Sequence, residues 1–510
     1  MGCVMNWKSA VLLVVLVAAV SLCSCSGTNN ACTTNCGGGG NANVTMTIFD
    51  TPPSGTSVLE FTLPIVGISL TPSTGTAVSV YSPTTIIPYE VTRLQTDSSL
   101  IASAVSVPAG TYTSLNITLA TTSGIWVNAS TSNITYTLNG ASVTCVSGAV
   151  CSLPSGAATT VSVPINLNLS GNQNQWLGID VNLNNAITST NGITVDFTQP
   201  NVFTATTTVR TGLPTGAVDT IEDFTGAVTA LSNSSITVQN AITGQSLVAA
   251  ITSSTNLSVV SPDYNTGCQS GNATTCIQVG STVSLYANLA ANGTLTATQV
   301  DLLDTTATDE IEGVIYPAST TAGIVGLILL DKTSASGNSV LSASTTTFGT
   351  PFLLDATTNG VTFNVDAGPL TNSGFSPTGF NGTGNLLAGQ VVRVQVTNVK
   401  VNTNTNTITA TAANVLLRWS RFSSSINSSG AAPTLTNLPT YMTSSGTFNS
   451  NAGVPITPQA GTYQGYTAFD GITDSSGLTV GTSAAFRALF LDVTNGGAQY
   501  SFQAAKVRVP

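Results

Sequence analysis

The chain has 510 residues, a formal net charge of −10 and only 6% charged side chains, with 11 Lys and Arg, 21 Asp and Glu and no His. So few cations exclude nucleic-acid binding, which relies on displacing counterions from phosphates. The absence of imidazole excludes Ser-His-Asp triads, Cys-His pairs and His-ligated zinc. A hydrophobic fraction of 42% with a mean hydropathy of +0.31 argues against charge-driven disorder.

The first 25 residues predict export. Residues 10–22 are apolar apart from Ser21, and this run is too short to span a bilayer but has the length of a signal-peptide core. The sequence Leu22-Cys23-Ser24-Cys25 follows it and resembles the bacterial lipoprotein signal, in which an aliphatic residue and two small ones precede an acylated Cys. The resemblance implies that residues 1–25 are a lipoprotein signal peptide with lipidation at Cys25. An ordinary cleaved signal peptide is the alternative.

Residues 26–43 have no periodicity and include four consecutive glycines, which predicts a flexible tether. Ser26 after the lipidated Cys resembles outer-membrane sorting, because Asp there is the usual signal for inner-membrane retention. We therefore expect a chain anchored by lipid at the cell envelope, on the outer membrane, facing the periplasm or the cell surface.

The cysteines beyond the signal predict disulfides, because an even number in an exported chain is typical of them. They form three local pairs: Cys32 with Cys36, Cys145 with Cys151, and Cys268 with Cys276. Metal binding is the alternative, but there is no CxxC spacing and no His. We expect no metal and no cofactor.

Short runs of β-branched residues with period-two alternation predict an all-β protein. Examples are residues 115–119 (LNITL), 204–210 (TATTTVR) and 391–396 (VVRVQV). No stretch of ten or more residues has helical spacing with caps.

Residues 44–213 are expected to form an antiparallel β-sandwich. They open with VTMTIF followed by Asp50-Thr51-Pro52, and later contain Pro108-Ala109-Gly110-Thr111-Tyr112 before a strand. This order of a D-x-P strand end and a P-A-G-x-Y motif resembles an uncharacterised β-sandwich domain of bacterial lipoproteins. A turn followed by a corner tyrosine is the structural role expected for the second motif.

A repeated unit follows, and it predicts two or three tandem small β-barrel domains. Each copy has a Gly turn, a strand, a gap and a strand ending in A-x-x-V; the first strands are at residues 279–285, 388–394 and 480–487. The units resemble small β-barrel repeats of unknown function that follow such N-terminal domains. We place repeat 1 at residues 218–308, repeat 2 at 309–422, a linker at 423–439, and a divergent or partial repeat 3 at 440–510.

Two acidic clusters are candidate calcium sites, because calcium binds carboxylate and carbonyl oxygens. One contains Asp219, Glu222 and Asp223, and the other contains Asp301, Asp304, Asp309, Glu310 and Glu312. No DxDxDG loop is present, so solvated linker carboxylates are the expected outcome. Paired carboxylates would also suit a glycosidase, but 21 acids in a long β chain produce such pairs by chance.

Aromatic residues are the other route to a ligand, since flat rings stack on sugars. Trp176, among Asn and Gln, and Trp419, between two arginines, are the candidate ligand-binding residues, whereas Trp126 is expected to be a buried sandwich residue. Trp419 also suits a strand end packed by cation–π contacts.

The sequence therefore predicts a non-enzymatic, lipid-anchored surface protein that binds a polysaccharide or a protein partner. A purely structural envelope component is the alternative, and a polysaccharide hydrolase with paired carboxylates is a distant one. Because so few groups ionise, we also expect the fold to tolerate acidic surroundings.

Overall fold

The structure is a computed structural model. It describes residues 40–51, 58–128, 132–138, 141–153, 158–188, 193–260, 273–305, 308–318, 321–368, 370, 377–402, 407–430, 433–443, 454–458, 467–492 and 500–509. Strands dominate these residues, so the all-β prediction is confirmed. In the same residues, no helix has both the length and the apolar character that crossing a membrane requires.

The N-terminal domain is built from β1 to β15 and two short helices. The strands are β1 (Asn41–Thr51), β2 (Val58–Pro72), β3 (Val78–Tyr81), β4 (Ile87–Glu90), β5 (Ser99–Pro108), β6 (Gly110–Leu119), β7 (Ser123–Val127), β8 (Ile134–Leu138), β9 (Ala141–Cys145), β10 (Val150–Ser152), β11 (Thr159–Leu169), β12 (Asn174–Asn182), β13 (Ile187–Thr188), β14 (Ile193–Val195) and β15 (Phe203–Thr206). A 3-10 helix spans Val91–Gln95, and α1 spans Leu183–Ala186.

Two sheets form the sandwich. The first has the order β15-β12-β1-β5, and the second has the order β10-β7-β2-β6-β11 with β3 and β4 also paired to β2. A small third sheet has the order β13-β14-β8-β9. We expected an antiparallel sandwich, but β1 pairs parallel with β12. In the small third sheet, β14 also pairs parallel with β8. The long chain between β1 and β12 permits the crossover that a parallel pair requires.

The P-A-G-x-Y segment forms the predicted corner. Tyr112 is buried, and its hydroxyl donates a 2.8 Å hydrogen bond to the carbonyl of Pro108. Gly110 adopts a φ of 157° between β5 and β6. The tyrosine thereby ties the turn to the strand that follows it.

Three six-stranded units follow the sandwich. The first contains β16 (Asp219–Leu231), β17 (Ser235–Gln239), β18 (Ser246–Ala250), β19 (Asn256–Val259), α2 (Ala273–Cys276), β20 (Thr282–Leu289) and β21 (Leu295–Asp304). The second contains β22 (Glu310–Tyr316), β23 (Ile324–Thr333), β24 (Pro351–Asp355), β25 (Thr362–Val365), a 3-10 helix (Thr383–Asn385), β26 (Val391–Asn402) and β27 (Thr407–Arg418). The third contains β28 (Ser420–Ser428), β29 (Thr434–Thr436), α3 (Thr440–Thr443), β30 (Val454–Pro458), β31 (Ala468–Asp470), a 3-10 helix (Ser475–Gly477), β32 (Ser483–Asp492) and β33 (Tyr500–Arg508).

The three units, here called barrels 1, 2 and 3, share one topology. In barrel 1 the order is β18-β17-β16-β20-β21-β19, and a parallel pairing of β18 with β21 closes the ring. The corresponding pairs β24–β27 and β30–β33 close barrels 2 and 3. In each barrel the fourth strand in sequence pairs only with the last strand. The other five strands have the connectivity of a five-stranded OB-type barrel.

The predicted linker at residues 423–439 is wrong, because this segment carries most of β28 and all of β29. Phe422, which directly precedes this segment, and Ile426 within it are both buried in the core of barrel 3. Barrel 3 is therefore a complete third repeat that begins at Ser420, and its first strand follows β27 after one residue. Residues 41–43, the last three that were assigned to the predicted tether, belong to β1, and residues 26–39 lie outside the described residues.

The cores of the sandwich and the barrels meet each other. Phe49 and Trp176 of the sandwich pack with the core residues of barrel 1. Leu59 and Ile125 of the sandwich belong to the same buried cluster as the core of barrel 3. The sandwich therefore contacts the barrels through apolar side chains as well as through the polar contacts described below.

The disulfide between Cys145 and Cys151 is confirmed; it closes the turn between β9 and β10, which belong to different sheets. Cys276 is also disulfide-bonded. Its predicted partner Cys268 lies outside the described residues, as do Cys25, Cys32 and Cys36.

Replacing Tyr112 with Phe is expected to lower the free energy of unfolding by about 1 kcal/mol, because the corner hydrogen bond is lost. The matched control is Tyr136→Phe in β8, which removes a buried hydroxyl that has no hydrogen-bond partner among the described residues. That change is expected to be neutral or stabilising. Urea unfolding of the two variants checks both; equal losses would contradict the role given to the corner.

Candidate functional site: an ionic core between the domains

Most of the basic residues in the chain meet in one buried network, here called the ionic core. Its cations are Arg93, Arg210, Arg393, Arg418, Arg421, Arg487, Lys506 and Arg508. Its anions are Asp97, Asp219, Glu222, Asp223, Glu310, Glu312, Asp331, Asp366 and Asp470. Apart from Arg93 and Arg210, at 17% and 15%, no member's side chain is more than 6% exposed.

Arg421 joins three domains in the ionic core. It lies on β28 of barrel 3, and its Nε donates to Asp97 of the sandwich at 2.6 Å. Its Nη2 donates to Asp223 of barrel 1, also at 2.6 Å. Asp97 follows the 3-10 helix of the sandwich, whose N-cap is Glu90. One guanidinium thus fixes the sandwich and barrel 1 against barrel 3.

Arg418, at the end of β27, gives barrel 2 its link to barrel 1. It is fully buried, and its guanidinium donates to Asp223 of barrel 1 and to Asp366 of its own barrel. Although burial alone would raise the pKa of Asp223, Arg418, Arg421 and Arg93 together hold it well below its usual range. Asp223 therefore stays ionised and serves as the common acceptor of barrels 2 and 3.

Arg210 extends the ionic core to the segment that connects the sandwich with barrel 1. Its Nη2 donates to Asp219 at 2.6 Å and its Nε to Asp470 of barrel 3 at 2.8 Å. Its guanidinium lies 4.5 Å from the ring centroid of Phe49 on β1. Asp219 also accepts from Thr47 of β1 at 2.7 Å. Arg210 thus ties the connecting segment to Asp219 of barrel 1 and to Asp470 of barrel 3.

A β-bulge directs two consecutive acids of β16 into the ionic core. The pairing of β16 with β20 shifts between Ile221 and Phe224, and Asp223 adopts a φ of +53°. Such a bulge re-aims side chains that would otherwise alternate between the two faces of the strand. Glu222 therefore reaches Arg487 at 2.7 Å, while Asp223 still contacts the arginines of the other barrels.

The prediction that the acidic clusters are solvated is wrong. Asp219, Glu222, Asp223, Glu310 and Glu312 are buried and paired with arginine or lysine. Asp301 and Asp304 are buried too, whereas Asp309 accepts hydrogen bonds from Ser336 near the surface. Among the described residues, no three His, Cys, Asp or Glu side chains are grouped so that they could hold a metal ion.

Asp301 is a buried acid that forms no ion pair with any residue that the structure describes. Its carboxyl group accepts from Ser258 and from Gln299, and Gly368 of barrel 2 lies against it. Burial and the nearby Asp366 raise the pKa of Asp301 to about 7. Near neutral pH this group therefore changes charge where barrels 1 and 2 meet.

Glu60 is a second buried acid that forms no ion pair among the described residues. It lies in the sandwich on β2. Its carboxyl group accepts from Thr62, and a side-chain carbon at Gly349 of barrel 2 would come within 2.8 Å of its Oε2. Burial and the neighbouring Glu90 raise the pKa of Glu60 to about 8. At neutral pH Glu60 is therefore mainly uncharged.

Both tryptophans predicted as ligand-binding residues are interior. Trp176 is 2% exposed between the sandwich and barrel 1, and its indole nitrogen donates to Thr47 at 3.0 Å. Trp419 is fully buried in the core of barrel 2, because strand alternation turns it away from the ionic core that Arg418 enters. The cation–π contacts involve Phe49 and Tyr286 instead. Neither indole presents a face to a sugar in this structure.

Trp126 is buried against Tyr136, as predicted.

The ionic core was not foreseen from the sequence, although a signal for it exists. Arg393 stands alone in the apolar run VVRVQV, and Arg487 stands alone in AAFRALF. A single charge in a strand that is otherwise apolar indicates a buried, paired charge. The strand pairing places Arg393 opposite Glu312, and it places Arg487 opposite Arg421. In both barrels a charged residue therefore lies opposite another charged residue on the neighbouring strand.

Arg418→Gln is expected to lower the free energy of unfolding by about 3–5 kcal/mol, because it leaves the buried Asp223 and Asp366 without their shared counter-charge. Lys400→Gln on the exposed part of β26 is the matched control and should change little. Urea unfolding measures both variants. If the two changes have similar effects, the ionic core does not stabilise the assembly.

Glu60→Gln is expected to stabilise the fold at pH 7 by on the order of 2 kcal/mol and to have little effect at pH 4. The folded pKa is raised to about 8 from 4.5, so the contribution of Glu60 is complete below pH 4.5 and is lost as the pH rises towards 8. A neutral Gln removes that loss. Thermal unfolding at the two pH values is the measurement, and equal effects at both would contradict the assignment.

Asp470→Asn is the control for Glu60→Gln, and its effect on the free energy of unfolding at pH 7 is expected to have the opposite sign. Burial acts to raise the pKa of Asp470, but Arg508, Lys506 and Arg210 outweigh it and lower the pKa to about 2. The stabilisation by this carboxylate is present above its unfolded pKa of 3.8 and is lost as the pH falls through 2. The Asn variant should therefore be destabilised at pH 7.

Comparison with known proteins identifies only the N-terminal domain. Residues 41–199 match a family model described as "Domain of unknown function (DUF4382)". The match begins with β1 and ends after β14, so it covers most of the sandwich and none of the barrels. No curated protein matches the chain. No solved structure matches it either.

Proposed function

We propose that this chain is a non-catalytic binding or scaffold protein that a lipid on Cys25 holds at the cell envelope. The observation that supports a scaffold is the ionic core, in which the sandwich and all three barrels share charged contacts. Domains joined in this way keep fixed relative positions, whereas domains on flexible linkers do not.

The distribution of charge supports binding by uncharged groups. The ionic core contains most of the Lys and Arg residues of the chain, so the surfaces of the sandwich sheet and the barrels are mainly hydroxyl and amide. Such groups form neutral hydrogen bonds, which suit a polysaccharide or a polar protein surface. A purely structural envelope component remains the alternative.

The carboxylates of the ionic core do not favour a polysaccharide hydrolase. Glycoside hydrolysis uses two carboxyl groups that face the substrate, one on each side of the scissile bond. In this protein Asp223, Asp366 and Glu312 are buried, and arginines occupy the space beside them. They are therefore better suited to joining domains than to contacting a sugar.

Anchoring is tested by comparing Cys25→Ala with Cys23→Ala in a bacterial host with two membranes. The Cys25 variant is expected to lose its acyl chains and to leave the membrane fraction, because a cleaved chain without lipid has no anchor. The Cys23 variant should still be lipidated. Mass spectrometry of the N-terminal peptide and fractionation are the measurements. A soluble wild-type protein without acyl chains would overturn the anchor.

The binding or scaffold role is tested by chemical crosslinking on intact cells that carry the wild-type chain. We expect reproducible adducts with an envelope polysaccharide or protein. Arg421→Gln should reduce them, because this change removes the ion pairs of Arg421 with Asp97 of the sandwich and Asp223 of barrel 1. Lys400→Gln is the control, since its side chain is exposed outside the ionic core. The absence of any adduct from wild-type cells would favour the purely structural role.

A further inference from the structure

Lys506 differs in chemistry from the cations around it. Apart from this lysine, the cations of the ionic core that the structure describes are arginines. An arginine keeps its proton in proteins, whereas a lysine loses its proton readily when it is buried. Lys506 is buried on β33, and this burial lowers the pKa of its amine, although the carboxylate of Glu222 acts against the shift. A neutral amine is a nucleophile, so Lys506 is suited to a reaction that a guanidinium cannot perform.

The amine of Lys506 contacts the outer side of barrel 1. Its Nζ lies 3.4 Å from Oε2 of Glu222 and donates to the hydroxyl of Thr220 at 3.3 Å. Both residues are on β16, and Ile221 between them is buried in the core of barrel 1. Because side chains alternate along a strand, Thr220 and Glu222 project outward from the barrel. Lys506 therefore reaches across the interface between barrels 3 and 1.

A side-chain amide lies next to Thr220 on the neighbouring strand. β16 pairs antiparallel with β20, and the register places Asn288 directly opposite Thr220. Opposed residues share one face of the sheet, with Cβ atoms about 5 Å apart. Ala287 and Leu289, on either side of Asn288, are buried in the core of barrel 1, so the amide also projects outward. Asn288 is therefore a neighbour of the Lys506 amine.

The amide of Asn288 is incompletely hydrogen-bonded. Its Oδ1 is buried and has no hydrogen-bond partner in the part of the chain that the structure describes. Buried polar atoms without a partner are rare in folded proteins and call for an explanation. Next to this amide are a nucleophilic amine and the carboxylate of Glu222. These are the three groups that an amide exchange needs: an acyl carbon, a nucleophile and a group that carries protons.

We propose that Lys506 and Asn288 form an intramolecular isopeptide bond that joins barrel 3 to barrel 1. The lone pair of Nζ attacks Cγ of Asn288 and forms the new C–N bond. Glu222 takes a proton from the attacking nitrogen and delivers it to the amide nitrogen of Asn288. That nitrogen leaves as ammonia when its bond to Cγ breaks. Atoms and electrons balance without an oxidant, a reductant or a cofactor.

The bond replaces a cation by a neutral amide without leaving the nearby acids unpaired. Glu222 keeps Arg487, which lies 2.7 Å from its Oε2. Asp470, whose Oδ2 is 4.0 Å from Nζ of Lys506, keeps Arg508 at 2.8 Å. A buried carboxylate that loses its only counter-charge is strongly destabilising, and here each carboxylate retains one. The surrounding charges therefore permit the loss of the ammonium group.

The test is peptide mapping by mass spectrometry of the full chain, purified in detergent, reduced, unfolded and digested. The wild type is expected to give a branched peptide that joins β20 to β33, with the summed mass of its two arms less one ammonia. Lys506→Arg should abolish this peptide while keeping a cation beside Glu222. Asn288→Ala should abolish it by removing the acyl group. Glu222→Gln should lower the joined fraction at least about tenfold, because the proton carrier is lost.

Lys332→Arg is the matched control, because Lys332 is half-buried and its Nζ donates to the carbonyl of Ala343 in barrel 2. This variant should give the branched peptide in the same amount as the wild type, and thermal unfolding should show that every variant is folded. A folded wild-type chain whose two arms appear only as separate peptides overturns the inference. A branched peptide that survives Asn288→Ala also overturns it. The test involves no ligand, so its failure leaves the binding or scaffold role untouched.

Discussion

The mutual pairing of buried charges is the constraint on which the assembled structure depends. Removing a guanidinium or a carboxylate from water is costly, and only a well-placed opposite charge offsets that cost. Arg421 and Arg418 find their partners on other domains, at Asp97 and Asp223. The charges are therefore satisfied only when the sandwich and the barrels are docked together, and the same interactions that join the domains also select one arrangement of them.

The burial of the charges also determines how the protein responds to pH. Asp470 is held ionised to about pH 2 by the cations around it, so acid does not disconnect it readily. Within the described part of the chain Asp301 and Glu60 form no ion pair, and burial favours their protonated forms. As the pH falls, Glu60 and Asp301 are thus protonated well before Asp470. The acid tolerance expected from the low number of ionisable residues stays a prediction.

The two sheets of the sandwich have different roles because their outer residues differ. β1 carries Phe49 and Thr47 towards barrel 1, and these residues bury apolar area and accept or donate hydrogen bonds at the interface. β6 and β11 carry only small polar residues outward, such as Asn116 and Ser162. The first sheet therefore attaches the sandwich to barrel 1, whereas the second contacts barrel 3 at Leu59 and Ile125 and leaves parts of β6 and β11 exposed.

Local patterns in the sequence determined the all-β class, the corner formed by Tyr112, the Cys145–Cys151 disulfide and the barrel repeats, because each depends on residues close in sequence or on strand alternation. Only the tertiary structure decided the fate of the charges and the tryptophans. Arg421 and Asp97 are separated by 324 positions, and no local pattern relates them. Trp419 looks accessible between two arginines, yet alternation buries it in barrel 2. Burial and ion pairing depend on which distant strands meet, and a single sequence does not specify this directly.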